Sequence, residues 1–319
     1  MSAGMRTSTA GMSMNTGTGM SMDTSMNTGT GTSPSMGASR PRGTLLLNEP
    51  LSRYTSWRVG GPAKRLYRPA DQQDLACFLA GLDADEPLLW LGLGSNLLIS
   101  DAGFPGTVIH TQGCLNAIIQ CSGTQHSSTQ RSSIPQSDIQ NSGIPQSGED
   151  ATATLRVEAG ASCAKVARFA SRQGLVGAEF LAGIPGTMGG ALAMNAGAWG
   201  GETWPLVKRV RTIDRQGQIR ARARSAFSAG YRQVTGPEGE WFLGAELVLE
   251  RGDTEAAQAR IRALLDRRAA TQPIGLPSCG SVFRNPPGDH AARLIEAAGL
   301  KGRRLGGAEV SPKHANFII

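Results

Sequence analysis

The densest glycine segment of the chain, residues 177–201, has eight glycines in 25 residues. Its centre reads Gly-Ile-Pro-Gly-Thr-Met-Gly-Gly-Ala over residues 183–191, which we call the second glycine loop. Small residues leave backbone groups uncovered, so a flat, extended ligand can lie directly against them. The alternative is a buried segment that lets helices pack closely. The polar residues Thr187 and Asn195 within the segment favour the ligand site.

A first glycine loop, residues 92–97, reads Gly-Leu-Gly-Ser-Asn-Leu and directly follows a predicted strand at 87–91. Its backbone N–H groups, with the Ser95 and Asn96 side chains, can converge on a phosphate. A dinucleotide-binding fold requires a third glycine and then a helix, whereas residues 97–100 and 107–109 predict further strands. A plain tight turn is an equal alternative for this loop alone. Together, the two loops favour a flavin or nucleotide in an extended pose.

Strand and helix patterns alternate along the rest of the chain and predict an α+β or α/β fold. Residues 154–158 alternate as in a strand. Residues 162–173 and 254–270 have apolar residues at helical spacing, with Ile261, Leu264 and Leu265 of the second segment facing the core. A third helix is predicted from a cap at Asp289 to Ala298.

Two low-complexity segments predict disorder rather than packed structure. Residues 1–43 are rich in Gly, Ser, Thr and Met, and residues 120–150 are rich in Ser and Gln. Neither segment has enough apolar surface to offset the entropy lost on ordering. We therefore treat residues 1–43 as a tail and residues 120–150 as an insert.

Composition excludes several function classes. No run of 18 apolar residues exists, and the first residues lack a secretory apolar region, so we expect neither a membrane helix nor a signal peptide. Five cysteines without a C-x-x-C pair argue against a disulfide framework or zinc site and indicate a reducing cytoplasm. The net charge of +7 fits a polyanionic substrate. Without a lysine-rich run, nucleic-acid binding is disfavoured.

The chain resembles the UDP-N-acetylenolpyruvoylglucosamine reductases, flavoenzymes of peptidoglycan precursor synthesis, and is most similar to their shorter, type II branch. The Gly-Ile-Pro-Gly-Thr and Gly-Ser-Val-Phe-Arg-Asn-Pro segments are the most specific matches. The matching stretches are residues 55–63, 91–101, 179–197, 231–232, 272–286 and 304–318.

The resemblance implies an FAD-binding domain of the vanillyl-alcohol-oxidase (PCMH) type at residues 44–213, followed by a smaller substrate domain at residues 214–319. It also implies that NADPH reduces FAD and that flavin N5 delivers a hydride to UDP-N-acetylglucosamine enolpyruvate, giving UDP-N-acetylmuramate. The residues implied to hold FAD are Gly92, Leu93, Gly94, Ser95, Asn96, Leu97, Gly183, Ile184, Pro185, Gly186, Thr187, Gly189, Gly190, Ala191 and Asn195.

Four residues carry the implied substrate chemistry. Arg232 matches the family arginine that stabilises the enolate formed after hydride addition, a task that suits a permanently charged guanidinium. Ser281 matches the serine that donates a proton to the neighbouring carbon. Tyr231 and Asn285 match substrate-contacting positions. Cys279 lies beside the site, but hydride transfer needs no nucleophile, so we assign it to packing.

One family feature is missing from the sequence. The catalytic glutamate of the family lies some tens of residues beyond the motif at 313–317, and the chain ends at Ile319. Glu309 belongs to an earlier motif and does not replace it. We therefore expect a C-terminally truncated substrate domain, with a flavin-binding but catalytically impaired chain as the alternative function. A flavin oxidase of sugars or alcohols is a third hypothesis, which Arg232 and Ser281 disfavour.

Overall fold

The first sheet is built from four strands and includes the predicted strands at 87–91 and 107–109. The structure, a computed structural model, describes residues 40–121 and 151–319. The strands are β1 (Thr44–Pro50), β2 (Pro62–Arg68), β3 (Leu88–Leu91) and β4 (Phe104–His110). Their order is β1-β2-β4-β3, with β1 antiparallel to β2 and the other neighbours parallel. Helix α1 (Gln72–Ala80) connects β2 to β3, and Asp71 caps it.

The second sheet is larger and antiparallel throughout. Its strands are β5 (Ile118–Cys121), β6 (Thr152–Glu158), β7 (Leu175–Val176), β10 (Val207–Asp214), β11 (Ile219–Ala223) and β14 (Glu240–Arg251). The order is β11-β10-β14-β6-β5, and β7 pairs with β14. Because β14 lies between β10 and β6, residues on both sides of position 213 build one sheet. The division into domains at 213 and 214 stays a prediction.

Three helices pack against the second sheet. They are α2 (Cys163–Arg172), α3 (Met188–Met194) and α4 (Thr254–Thr271). The core between them contains Val157 of β6, Leu247 of β14 and Ile261 of α4. The predictions at 162–173 and 254–270 are confirmed to within a residue, because apolar spacing and end signals agree there. Helix α1 packs between the sheets, with Leu75 and Leu79 in one cluster with Leu243 of β14.

The remaining elements are short. They are β8 (Gly197–Ala198), β9 (Gly201–Glu202), β12 (Ser228–Gly230), β13 (Gln233–Thr235), α5 (Ala291–Ala297), β15 (Arg304–Leu305) and β16 (Ala308–Glu309). Each of the three strand pairs is an antiparallel hairpin. The helix predicted from Asp289 begins later, at Ala291, whose N–H donates to the Asn285 side chain.

The strand predicted at residues 97–100 is wrong. This segment has no strand partner among the described residues, and Leu98 is 69% exposed. The segment instead serves as a backbone acceptor, since the Ser100 carbonyl receives the N–H groups of Gly61 and Gly103. An apolar run predicts a buried strand only where a neighbouring strand can pair with it, and here the backbone is used otherwise.

Most of the tail and the insert lie outside the described residues. At the tail's end, the Gly43 N–H donates to the Tyr67 hydroxyl at 3.0 Å. At the insert's start, Gln120 and Cys121 belong to β5, where they pair with Leu155 and Thr154. Within the two described ranges, no helix is long and apolar enough to cross a membrane.

His110, at the end of β4, is a buried histidine whose two ring nitrogens make no hydrogen bond of normal geometry within the described residues. The residue is 6% exposed, and its ring meets the Tyr54 ring edge-on at 4.9 Å between centroids. Burial, helped by the charge of Arg68 and opposed by the nearby Gln112 side chain, lowers the pKa of His110 to about 4.

We predict that stability falls with decreasing pH through His110. In the unfolded chain His110 titrates near its ordinary pKa, so between that pKa and about 4 the unfolded state binds the extra proton. This linkage removes about 2 kcal/mol of stability by pH 5. His110→Leu, a change to an apolar side chain of similar size, should lack this loss. Urea unfolding of both proteins at pH 8 and pH 5 measures it; equal losses in the two proteins contradict the prediction.

Candidate flavin and substrate site

The two glycine loops, far apart in sequence, are in direct contact. The first glycine loop follows β3, and a side chain at Gly92 would place its Cβ 2.3 Å from Thr187 Oγ1. Thr187 is buried, and its backbone forms an isolated antiparallel β-bridge with Ser162, which fixes the second glycine loop. A Cβ at Gly186 would lie 3.7 Å from Ser95 Oγ, so the loops remain adjacent further along. They therefore form one continuous surface.

Polar groups of the first glycine loop are available to a ligand. In the part of the chain that the structure describes, the Ser95 and Asn96 side chains have no hydrogen-bond partner. Their backbone N–H groups donate to no protein carbonyl there either. Gly94 has a φ of +65° and passes so close to the Tyr54 carbonyl that a Cβ would lie 2.1 Å from it. Such a loop suits a diphosphate, which takes several convergent donors.

The second glycine loop contributes shape more than donors. A Cβ at Gly190 would have its nearest neighbour at 4.0 Å, so this glycine borders open space. Gly183 lies against the Trp199 ring, which a Cβ would meet at 1.8 Å. The Gly189 N–H donates to the Ala159 carbonyl at 2.8 Å, and Ala191 is buried in the core. The arrangement fits a flat cofactor such as FAD lying along the outer residues of the loop.

The other residues predicted to hold the cofactor differ in their placement. Leu97 packs against the core of the first sheet, and Ile184 packs against the core of the second. Leu93 is half-buried and Pro185 is exposed. Asn195 is 5% exposed, and its side chain hydrogen-bonds to protein groups. The roles of all these residues toward FAD stay predictions.

Arg232 lies in the turn between β12 and β13 with an unusual backbone conformation. Its φ of +53° is left-handed, which is costly for a large side chain. Its guanidinium lies 5.9 Å from the centre of the Tyr231 ring, and Nη1 donates to the Ser281 carbonyl at 3.1 Å. Arg284 Nη2 donates to the Arg232 carbonyl, also at 3.1 Å. The turn thus brings Tyr231 and Arg232 to the segment that carries Ser281.

Ser281 and Asn285 lie in the same segment, on the other side of this contact. The Ser281 side chain is half-buried and has no partner among the described residues, so its hydroxyl is free to face a ligand. The Asn285 N–H donates to the Tyr231 hydroxyl at 3.4 Å. The Asn285 side chain contacts His290 and accepts the N–H of Ala291. All four residues predicted for substrate chemistry are therefore brought together.

Asn316 is a structural part of this site to which the sequence motif assigns no role. Its side chain accepts the Phe283 N–H and donates to the Phe283 carbonyl, both at 2.9 Å. Its carbonyl also accepts the Val282 N–H at 3.0 Å. Asn316 therefore fixes the segment next to Ser281. Arg284 likewise lies inside a matching motif, but the sequence alone gives no signal of its contact with Arg232.

Two further side chains that the sequence singles out, Cys279 and Glu309, take no visible part in the site. Burial raises the pKa of the Cys279 thiol, and nearby Arg232 offsets this only in part. A neutral thiol is a poor nucleophile, in agreement with a packing role. Glu309 is paired with Arg304 at 2.6 Å. Among residues 40–121 and 151–319, no cluster of three His, Cys, Asp or Glu could hold a metal ion.

Comparison with known proteins gives two family models and several relatives. A model described as an FAD binding domain matches residues 63–221. A model described as the UDP-N-acetylenolpyruvoylglucosamine reductase C-terminal domain matches residues 272–319. The reductase of that name from Alkalilimnicola ehrlichii is 58% identical over 271 residues, which is 85% of this chain and 81% of that protein. The Methylococcus capsulatus reductase is 56% identical, over 88% of this chain and 83% of its own.

A solved structure agrees with these relatives. The crystal structure of UDP-N-acetylenolpyruvylglucosamine reductase from Thermus caldophilus aligns with a TM-score of 0.67 and 31% sequence identity. The alignment covers 87% of this chain and 88% of that one. The predicted α+β fold with an FAD-binding domain is thereby confirmed.

We predict that Gly92→Ala weakens FAD binding. The added Cβ meets the buried Thr187 side chain, which must then rotate or move with its loop, and the FAD dissociation constant should rise at least about tenfold. Quenching of flavin fluorescence on titration of the apoprotein measures it. Gly81→Ala is the matched control, because its Cβ would meet only ordinary contacts from 3.6 Å. Equal FAD affinity in both variants contradicts the prediction.

Proposed function

The chain belongs to the UDP-N-acetylenolpyruvoylglucosamine reductase family, and from this premise we propose that it catalyses the NADPH-dependent, FAD-mediated reduction of UDP-N-acetylglucosamine enolpyruvate to UDP-N-acetylmuramate. It is an oxidoreductase with an FAD-binding domain. The finer assignments, to NADPH, to hydride transfer and to particular residues, are our proposal. We also propose that it acts in the cytoplasm, in peptidoglycan precursor synthesis; its five free cysteines support a reducing compartment.

The observation that carries the proposal is the contact between Arg232 and the Ser281 segment. Arg232 Nη1 lies 3.1 Å from the Ser281 carbonyl oxygen, although the two residues are 49 positions apart. A permanent cation and a free hydroxyl thus border the same space. Reduction of an enolpyruvyl group needs both, because negative charge develops beside a carboxylate and a proton must then be delivered.

The two glycine loops would hold FAD in this scheme. The donors at Ser95 and Asn96 would take the diphosphate, and the open surface beside Gly186 and Gly190 would take the flat part of the cofactor. When bound, FAD supplies the hydride, which it obtains from NADPH. The later steps, stabilisation of the enolate and its protonation, are carried out by protein side chains.

Arg232 is the proposed electrostatic catalyst. Hydride addition to the terminal carbon of the enolpyruvyl group leaves an electron pair on the carbon that carries the carboxylate. The pair delocalises into that carboxylate as an enolate. The guanidinium of Arg232 is a cation that can donate two hydrogen bonds in one plane, so it stabilises the enolate more than the neutral double bond.

Ser281 is the proposed proton donor. Its hydroxyl proton goes to the carbon bearing the carboxylate, which completes the saturated lactyl ether, and the alkoxide left behind takes a proton from solvent. A serine is a weak acid, so the transfer works only against a strong base held within hydrogen-bond reach. Tyr231 and Asn285, which lie on either side of the Arg232–Ser281 contact, are proposed to orient the substrate.

We predict that Arg232→Lys lowers kcat about 100-fold or more, because a lysine cannot reproduce the planar pair of donors. The measurement is NADPH consumption by the flavin-loaded chain, with and without UDP-N-acetylglucosamine enolpyruvate, together with the product mass. Arg262→Lys on the exposed side of α4 is the control and should retain full activity.

We predict that Ser281→Ala also lowers kcat about 100-fold or more, here through loss of the proton donor. The same assay measures it, and FAD binding should be unchanged because Ser281 is assigned no role in holding the cofactor.

Two results contradict the proposed function. One is a flavin-loaded wild-type chain whose NADPH consumption does not depend on the enolpyruvyl substrate; this result favours a flavin-binding but impaired chain. The other is a kcat equal to that of the wild type in both Arg232→Lys and Ser281→Ala. The chain would then still be a reductase, but neither residue would have the proposed catalytic role.

A further inference from the structure

The Asn195 side chain uses its hydrogen-bonding groups within the protein. Nδ2 donates to Glu202 Oε2 at 3.0 Å and to the Gly230 carbonyl at 3.3 Å. Oδ1 accepts the Trp204 N–H at 3.0 Å. An asparagine amide has two N–H donors, and both are engaged here. With 5% exposure, the side chain has no spare donor to offer a cofactor.

The backbone of Asn195 is also committed. The residue ends α3 in a left-handed conformation, with φ +42° and ψ +52°, and its N–H donates to the Ala191 carbonyl. Asparagine tolerates this conformation better than most residues. The position of Asn195 is therefore fixed by α3, the helix that begins within the second glycine loop.

The partner that matters is Gly230. It is the last residue of β12 and lies two positions before Arg232, whose own backbone is left-handed. On the far side of the turn, Arg284 holds the Arg232 carbonyl. The turn is thus held at both ends, by Asn195 at the end of α3 and by Arg284 from the Ser281 segment.

We infer that Asn195 is a positioning residue for Arg232, and not a ligand of FAD: it fixes the Gly230–Arg232 turn relative to the glycine loops. The inference rests on the proposed function of Arg232. It assigns to one hydrogen bond, from Asn195 Nδ2 to the Gly230 carbonyl, the task of setting the distance between the guanidinium of Arg232 and the second glycine loop.

The test removes that bond and keeps the others. In the double variant Asn195→Asp with Glu202→Gln, the donor and acceptor of the 195–202 contact are exchanged. The new carboxylate still accepts the Trp204 N–H, but the Gly230 carbonyl loses its donor. Glu202→Gln alone retains all three contacts and is the matched control. We expect the double variant to lower kcat at least about tenfold, since small displacements of a catalytic group are costly. The FAD dissociation constant should stay within about threefold of wild type.

A mutant cycle distinguishes positioning from general damage. If Asn195 acts through Arg232, the double variant should cost much less in an Arg232→Lys background than in wild type. Full additivity of the two effects overturns the inference. So does weakened FAD binding with unchanged kcat at saturating FAD, since that result makes Asn195 a flavin ligand. Asn195→Gly, which accepts the left-handed backbone, is the second variant if the first does not fold.

Hydrogen exchange supplies a readout that needs no turnover. Loss of the Asn195 bond should speed amide exchange in residues 228–235, but leave the first glycine loop unchanged. Unchanged exchange in residues 228–235 overturns the inference. A wild-type chain that does not reduce the enolpyruvyl substrate defeats the proposed function instead, and the exchange result still decides whether Asn195 fixes the turn.

Discussion

The close approach of Gly92 to Thr187 is the constraint on which the contact between the two glycine loops depends. Any other residue at the position that follows β3 would place a Cβ 2.3 Å from the threonine hydroxyl, so that the Thr187 side chain or its loop would have to move. With glycine there, the end of the first sheet touches the segment that leads into α3. The donors of Ser95 and the open surface beside Gly190 then border the same space.

Arg232 shows how the protein holds a strained residue at the position where the proposed chemistry needs it. A left-handed arginine costs about 1–2 kcal/mol relative to an ordinary backbone. The surrounding hydrogen bonds offset that cost, with Asn195 and Arg284 binding the carbonyls of the turn and Arg232 binding that of Ser281. Each bond contributes about 1 kcal/mol. The left-handed conformation of Arg232 is kept only while these neighbouring segments stay in place. The position of the guanidinium therefore depends on all three hydrogen bonds.

The helices are predictable from this sequence, but the contacts between residues far apart in the chain are much less so. Helices α2 and α4 follow from apolar spacing and capping residues, which act within a few positions. The strand predicted at residues 97–100 is wrong, because an apolar run does not reveal whether a neighbour exists to pair with it. Arg232 and Ser281 are recognisable through motifs. The contacts of Arg284 and Asn316 are not, since their partners are 52 and 33 positions away.

Hydrogen bonds between residues far apart in the sequence also attach the segment that carries Ser281. The Ser56 hydroxyl donates to the Ser278 carbonyl, 222 positions away, and the Trp57 indole donates to the Ile318 carbonyl, 261 positions away. Residues 56 and 57 lie between β1 and β2, and the Ser56 N–H also binds the Gly94 carbonyl. One short segment therefore connects the first glycine loop to the Ser281 region. Because each of these bonds is individually weak, the segment holds the Ser281 region in place only while all of them are kept. The placement of the proposed substrate groups therefore depends on the same segment that contacts the first glycine loop.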